Sequence, residues 1–152
     1  MTALLLIVAG LFAVQTPPAS PPAPPLESGV SLDYEFFKTR VQPIFLNKRP
    51  GNARCYVCHR GSGGTGTTTY LQLLAPGATM WDEEQSRKNF EAVRRLVAPG
   101  APLRSKLLVH PLAEEAGGDE FHNGGKHWTS QNSPEWQTLA AWVRGQTAAA
   151  GK

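Results

Sequence analysis

Cys55-Tyr56-Val57-Cys58-His59 is the stretch that decides how the rest of this chain is read. It holds the only two cysteines in 152 residues and sets a histidine directly behind the second. A C-x-x-C-H run reads as an attachment site for a c-type haem. Residues three apart share one face of a helical turn, so both thiols can add to the two vinyl groups along one porphyrin edge. His59 then directs its imidazole at the iron as proximal ligand. Sulfur serves the thioethers and imidazole the metal bond, so each residue type has its own reason to be there.

Working outward, residues 3–14 are a run of apolar or small residues. Their number suits a secretory leader and is short for a membrane span. Residues 1–15 therefore read as a signal peptide, although no Lys or Arg precedes the run and Ala13-Val14-Gln15 is a poor cleavage motif. Left uncleaved, residues 3–14 would be an N-terminal membrane tether. Either form implies export to the periplasm or another extracytoplasmic space, which agrees with covalent haem attachment. Prolines at 17, 18, 21, 22, 24 and 25 bar helix and interior strand, making residues 16–30 an extended linker. The folded domain is expected over 31–147, with 148–152 as a short tail.

The apolar content of 41% includes the leader, so the domain itself is poorer in core-forming residues. A buried haem would supply the missing core. Fifteen glycines and thirteen prolines imply long loops wrapped on a large cofactor. The formal charge of +3 approaches neutrality once two haem propionates are counted, and nothing points to nucleic acid. Arg87, Lys88, Arg94 and Arg95 read first as a solvated helix face, and second as a docking patch for an acidic redox partner.

Helices are expected over 31–40, 82–97, a short turn at 105–110, and from Ser133 to Gly145. In the first, Tyr34, Phe37 and Val41 recur at helical spacing, Asp33 and Glu35 lie in the first turn, and Pro43 ends or kinks it. Ile44 and Phe45 are apolar cover. Asp82 and Gln85 form a capping box for the second helix, with Phe90, Val93, Leu96 and Val97 as its stripe. Pro111 biases His110 toward an extended backbone. Pro134 occupies the first position of the last helix, whose apolar face is Trp136, Leu139, Ala140 and Val143. Residues 60–69 form a glycine-rich loop, not a phosphate loop, because no Gly-Lys-Ser/Thr follows. Only 69–74 offers a weak strand.

The chain resembles the single-haem c-type cytochromes, in particular cytochrome-c-like domains of planctomycete and acidobacterial secreted proteins. The residues that carry this are Val41-Gln42-Pro43-Ile44-Phe45 ahead of Cys55-x-x-Cys58-His59, then Ser105-Lys106-Leu107-Leu108, and Glu135-Trp136-Gln137 leading to Trp142-Val143. The resemblance implies a mainly α, small cytochrome-c-like domain wrapped on one covalent haem c, with long Gly/Pro-rich loops. It also implies that the first and last helices cross near the haem edge, with Phe37 and Trp142 at the crossing.

The remaining variable is the sixth iron ligand, which separates an electron carrier from a ligand binder. His122 is favoured, because Gly117-Gly118 and Gly124-Gly125 on either side allow close backbone approach to a porphyrin. The resembling family also has an H-x-G-G stretch at this position. His110, His127 and Met80 are the alternatives. The expected function is electron transfer between redox partner proteins, without a catalytic residue. An open sixth site would instead make a gas sensor or peroxidase, with Glu114, Glu115 or Glu120 as acid-base candidates. A structural zinc module of Cys55, Cys58, His122 and His127 is the further alternative. A thioredoxin-like dithiol lacks its βαβ surroundings.

Overall fold

The computed structural model describes residues 29–61 and 71–151. The leader, most of the proline-rich linker, nearly all of the glycine-rich loop and the first part of the weak strand lie outside the described residues. The architecture is mainly helical: α1 (Tyr34–Phe36), α2 (Cys55–His59), α3 (Glu83–Val93), α4 (Lys106–Val109) and α5 (Pro134–Val143), joined by single 3-10 turns and loops. Leu71 forms only an isolated bridge with Arg60, so the strand expected at 69–74 is absent among the described residues. No described helix is long and apolar enough to cross a membrane.

The first helix departs from expectation in length and in winding. It begins at Tyr34, where Asp33 accepts a hydrogen bond from the Phe36 amide and so caps the N-terminus. It then passes into a π-helical turn that ends at Val41, and a separate 3-10 turn, Gln42–Leu46, begins with Pro43 in its first positions, the break expected at this proline. Proline lacks the amide that an α-helix would need at that point, and the change of winding removes the need. The result buries Phe37 and Val41 completely and Ile44 and Phe45 almost so.

α5 crosses this segment. Its face of Trp136, Leu139, Ala140 and Val143 is buried as the periodicity predicts, and Trp142 joins it. The Phe37 and Trp142 rings meet at 5.3 Å between centroids. Trp142 also donates its indole N–H to the Asp33 carbonyl at 2.9 Å, so one residue serves both packing and polar satisfaction. Trp142→Phe is expected to lower unfolding stability by about 2 kcal/mol, from the lost hydrogen bond and the smaller ring. Urea denaturation measures it.

α3 begins with the predicted capping box and ends at Val93, with a 3-10 turn at Arg94–Leu96 completing the expected span. Its buried face is unexpectedly polar. Gln42 donates to Ser86 at 3.0 Å, and the Gln72 amide donates to Asn89 at 2.7 Å. Ser86 and Asn89 are fully buried, so this cluster ties α3 to the first helix through directional bonds. On the exposed face, Arg87, Lys88 and Arg94 pair with Glu83, Glu84 and Glu91. Those three cations are balanced by carboxylates of their own helix.

Candidate functional site

α2 is a single five-residue turn whose three faces have separate tasks. Tyr56 points into the core, accepting the Leu74 amide on its hydroxyl at 2.9 Å and meeting Trp81 edge-on. Val57 faces outward, half exposed. Cys55, Cys58 and His59 share the third face, as i, i+3, i+4 spacing requires, and line a cavity of about 310 Å³. The backbone holds this turn in place, because the Leu71 amide donates to the His59 carbonyl and the Gly61 amide to the Leu71 carbonyl.

All four histidines of the chain line this cavity, together with Phe45, Leu71, Val93, Leu107 and Trp128. Its size and apolar walls with a few convergent polar groups suit a cofactor. The His59 and His122 rings lie 6.2 Å apart and within 12° of parallel. Two imidazoles on opposite faces of one metal ion have centroids about 6 Å apart, given metal–nitrogen bonds near 2 Å. Both cysteines are free thiols. Burial pushes the Cys55 thiol up, and the Arg49 guanidinium opposes this. His59, His122 and the two sulfurs line one cavity, and this donor set suits a metal-centred cofactor joined through thioethers.

The candidate distal ligands differ in tautomer, which their neighbours set. His122 Nδ1 lies 2.6 Å from the Gly125 carbonyl, to which it can only donate, so Nε2 keeps its lone pair for a metal. Burial holds this imidazole below its ordinary pKa and hence neutral. His110 Nδ1 lies 2.7 Å from an Asp119 carboxylate oxygen, and the same logic leaves its Nε2 as a donor to metal. His127 is the opposite case. Its Nδ1 faces the Arg49 guanidinium at 3.4 Å and must accept, which puts the proton on Nε2 and makes ligation unfavourable. Met80 is exposed and does not line the cavity; it neither fills core space nor reaches the site. Glu114, Glu115 and Glu120 are exposed and do not line it either.

His110 has helical backbone angles, φ −62° and ψ −47°, against the extended conformation expected before Pro111. Its amide closes the last turn of α4 by donating to the Lys106 carbonyl, which outweighs the pre-proline bias. The glycines around His122 have a further steric role. A Cβ at Gly118 would lie 1.9 Å from the Leu112 carbonyl oxygen, and one at Gly124 would lie 3.0 Å from the His122 ring. They let the loop close on its own backbone and imidazole, and Gly124 also lines the cavity.

Arg49 is the residue that sequence reasoning missed. Nearly buried, it donates through Nε to Glu135 at 2.5 Å and through Nη2 to the Ile44 carbonyl at 3.2 Å. Its guanidinium also lies 3.7 Å from Cys55 Sγ and 5.4 Å from the centre of the Trp128 ring. Glu135 further accepts from Asn47 and from the Trp128 indole. One ion pair thus joins α5, α2 and the histidine-bearing loop beneath the cavity. No local pattern marks Arg49 among fifteen basic residues.

This network is expected to make stability fall in acid. Burial and then the Arg49 charge hold His127 at about 4 in place of 6.5. Between these values the unfolded chain takes up a proton that the folded one does not, so stability falls as pH drops from 6.5 toward 4. Burial pushes the Glu135 carboxyl up, but hydrogen bonds from Asn47, Arg49 and Trp128 more than reverse this and hold it below its ordinary 4.5. Its contribution is present above that value and disappears as pH falls through the lower folded pKa. The urea midpoint is expected to be highest above pH 6.5 and to decline steadily into acid. A midpoint that rises between pH 7 and 5 would contradict this.

The chain matches no protein-family model, no curated protein and no solved structure. What the site can do therefore rests on its own geometry. Among the described residues, no group of three or more His, Cys, Asp or Glu side chains gathers to hold a bare metal ion. Cys55, Cys58, His122 and His127 all line the cavity without forming such a group. A porphyrin iron asks only two axial ligands of a protein.

Proposed function

We propose that this domain is an exported carrier of single electrons, with one haem c bonded through Cys55 and Cys58. Its axial ligands in this reading are His59 and His122. The observation that carries the proposal is the near-parallel pair of imidazoles across the cavity that the two free thiols line. The haem supplies the redox change when bound. The protein's part is to fix the cofactor, hold the same ligands in both oxidation states and leave an edge open to partner proteins. Apolar walls and the Arg49–Glu135 ion pair beneath them supply the rigidity this needs. No acid-base residue is required.

Two imidazoles also favour a lower reduction potential than a His/Met pair does. Protein produced with a haem-maturation system is expected to stain for haem after denaturing electrophoresis and to give a low-spin spectrum in both oxidation states. A colourless product with two free thiols would overturn the reading. Zinc on metal analysis with no Soret band would move the assignment to a structural metal module. A high-spin ferric spectrum would favour the ligand-binding alternative instead.

A further inference from the structure

With His59 proximal and His127 turned away from ligation by Arg49, two imidazoles in the cavity compete for one distal position. His110 and His122 both line it, and hydrogen bonds to Asp119 and Gly125 leave each with its Nε2 lone pair available. Their rings are 5.1 Å apart and stand at 80° to each other. The Asp119 carboxylate behind His110 and the Gly125 carbonyl behind His122 each orient the ring as an outer-shell partner does, and His122 is the better placed against His59.

The two differ in how they are held. His110 closes α4, whose Leu108 is fully buried. His122 rides the tip of a loop pinned at its base, where the Asp119 amide donates to the Val109 carbonyl at 3.1 Å and Lys126 donates to the Asp119 carbonyl. Beyond that base the tip is lightly packed, with Phe121 beside His122 exposed at 64%. Loop tips with few buried contacts open at lower free energy than helices docked on a core.

We propose that His110 is a reserve distal ligand, which takes the iron when the tip carrying His122 moves away. This rests on the His59–His122 ligation proposed above. Its consequence is that the sixth position stays closed to carbon monoxide and similar small molecules through loop opening.

The test uses haem-loaded protein: wild type, His122→Ala, His110→Gln and His122→Ala/His110→Gln, compared by visible and EPR spectra and by carbon monoxide binding to the reduced forms. Glutamine at 110 can still donate to Asp119, so the loop base is kept. Expected are a His122→Ala variant that stays low-spin with a changed EPR signal and a double variant that turns high-spin and binds carbon monoxide rapidly. His110→Gln alone should stay low-spin yet bind carbon monoxide several-fold faster than wild type. A high-spin His122→Ala variant overturns the proposal while leaving the ligation reading intact. So does a double variant that remains low-spin. If His122→Ala does not accumulate, carbon monoxide binding by His110→Gln at the wild-type rate overturns it. A wild type that is not low-spin defeats the ligation reading itself.

Discussion

Changing Cys55 and Cys58 together to alanine is expected to give a chain with no covalently held haem and no cooperative thermal transition. Both thiols stand on one wall of an apolar cavity of about 310 Å³. At about 24 cal/mol per Å³ of cavity, leaving that volume unfilled costs up to about 7 kcal/mol. The figure is an upper bound because the cavity opens to solvent. It is nevertheless comparable to the whole stability of a small domain, about 5–15 kcal/mol. Single substitutions should each retain one thioether and a coloured, less stable protein. Haem staining and calorimetry check both statements. A haem-stained band from the double variant would contradict the assignment of these two sulfurs.

Arg49→Met is expected to be the most damaging change away from the cysteines, at about 3 kcal/mol, the lower end for breaking a buried ion pair. The lower end applies because the Glu135 side chain keeps 27% of its exposure, against 10% for Arg49. Methionine preserves much of the apolar stem over Trp128 but leaves Glu135, His127 and the Ile44 carbonyl without their guanidinium partner. Adding Glu135→Gln should recover part of the loss, since the remaining carboxylate is the main penalty. Urea unfolding of the two single variants and the double variant measures this coupling. Strict additivity would show that the pair is not an energetic unit.

The contrast between what was legible in the sequence and what was not follows from range. The C-x-x-C-H turn, the Asp82–Gln85 capping box and the Pro134 start of α5 are each encoded within five residues, where spacing alone fixes geometry. The Phe37–Trp142 contact expected from resemblance is present, but neither ring lines the cavity, so it does not lie at the expected haem edge. Arg49 and Glu135 stand 86 positions apart, and Gln42 and Ser86 stand 44 apart. Polar pairs of that separation leave no periodic trace. Pro43 marks its break correctly, since the wider winding stops at Val41 and a 3-10 turn with Pro43 in its first positions follows, but the π-helical turn before it has no local sequence signal. Among the histidines, residue type alone could not rank His110, His122 and His127, since the ranking depends on which atom lies behind each Nδ1.

Asp33 has a consequence for the protein as a building block. Its carbonyl receives the Trp142 indole and its carboxylate the Ala148 amide, while Val30 lies against Gly145. The first and last segments of the domain therefore leave from the same place. Modules with adjoining termini can be strung in series or spliced into a host loop without stretching either polypeptide. A unit of this kind is portable between larger assemblies.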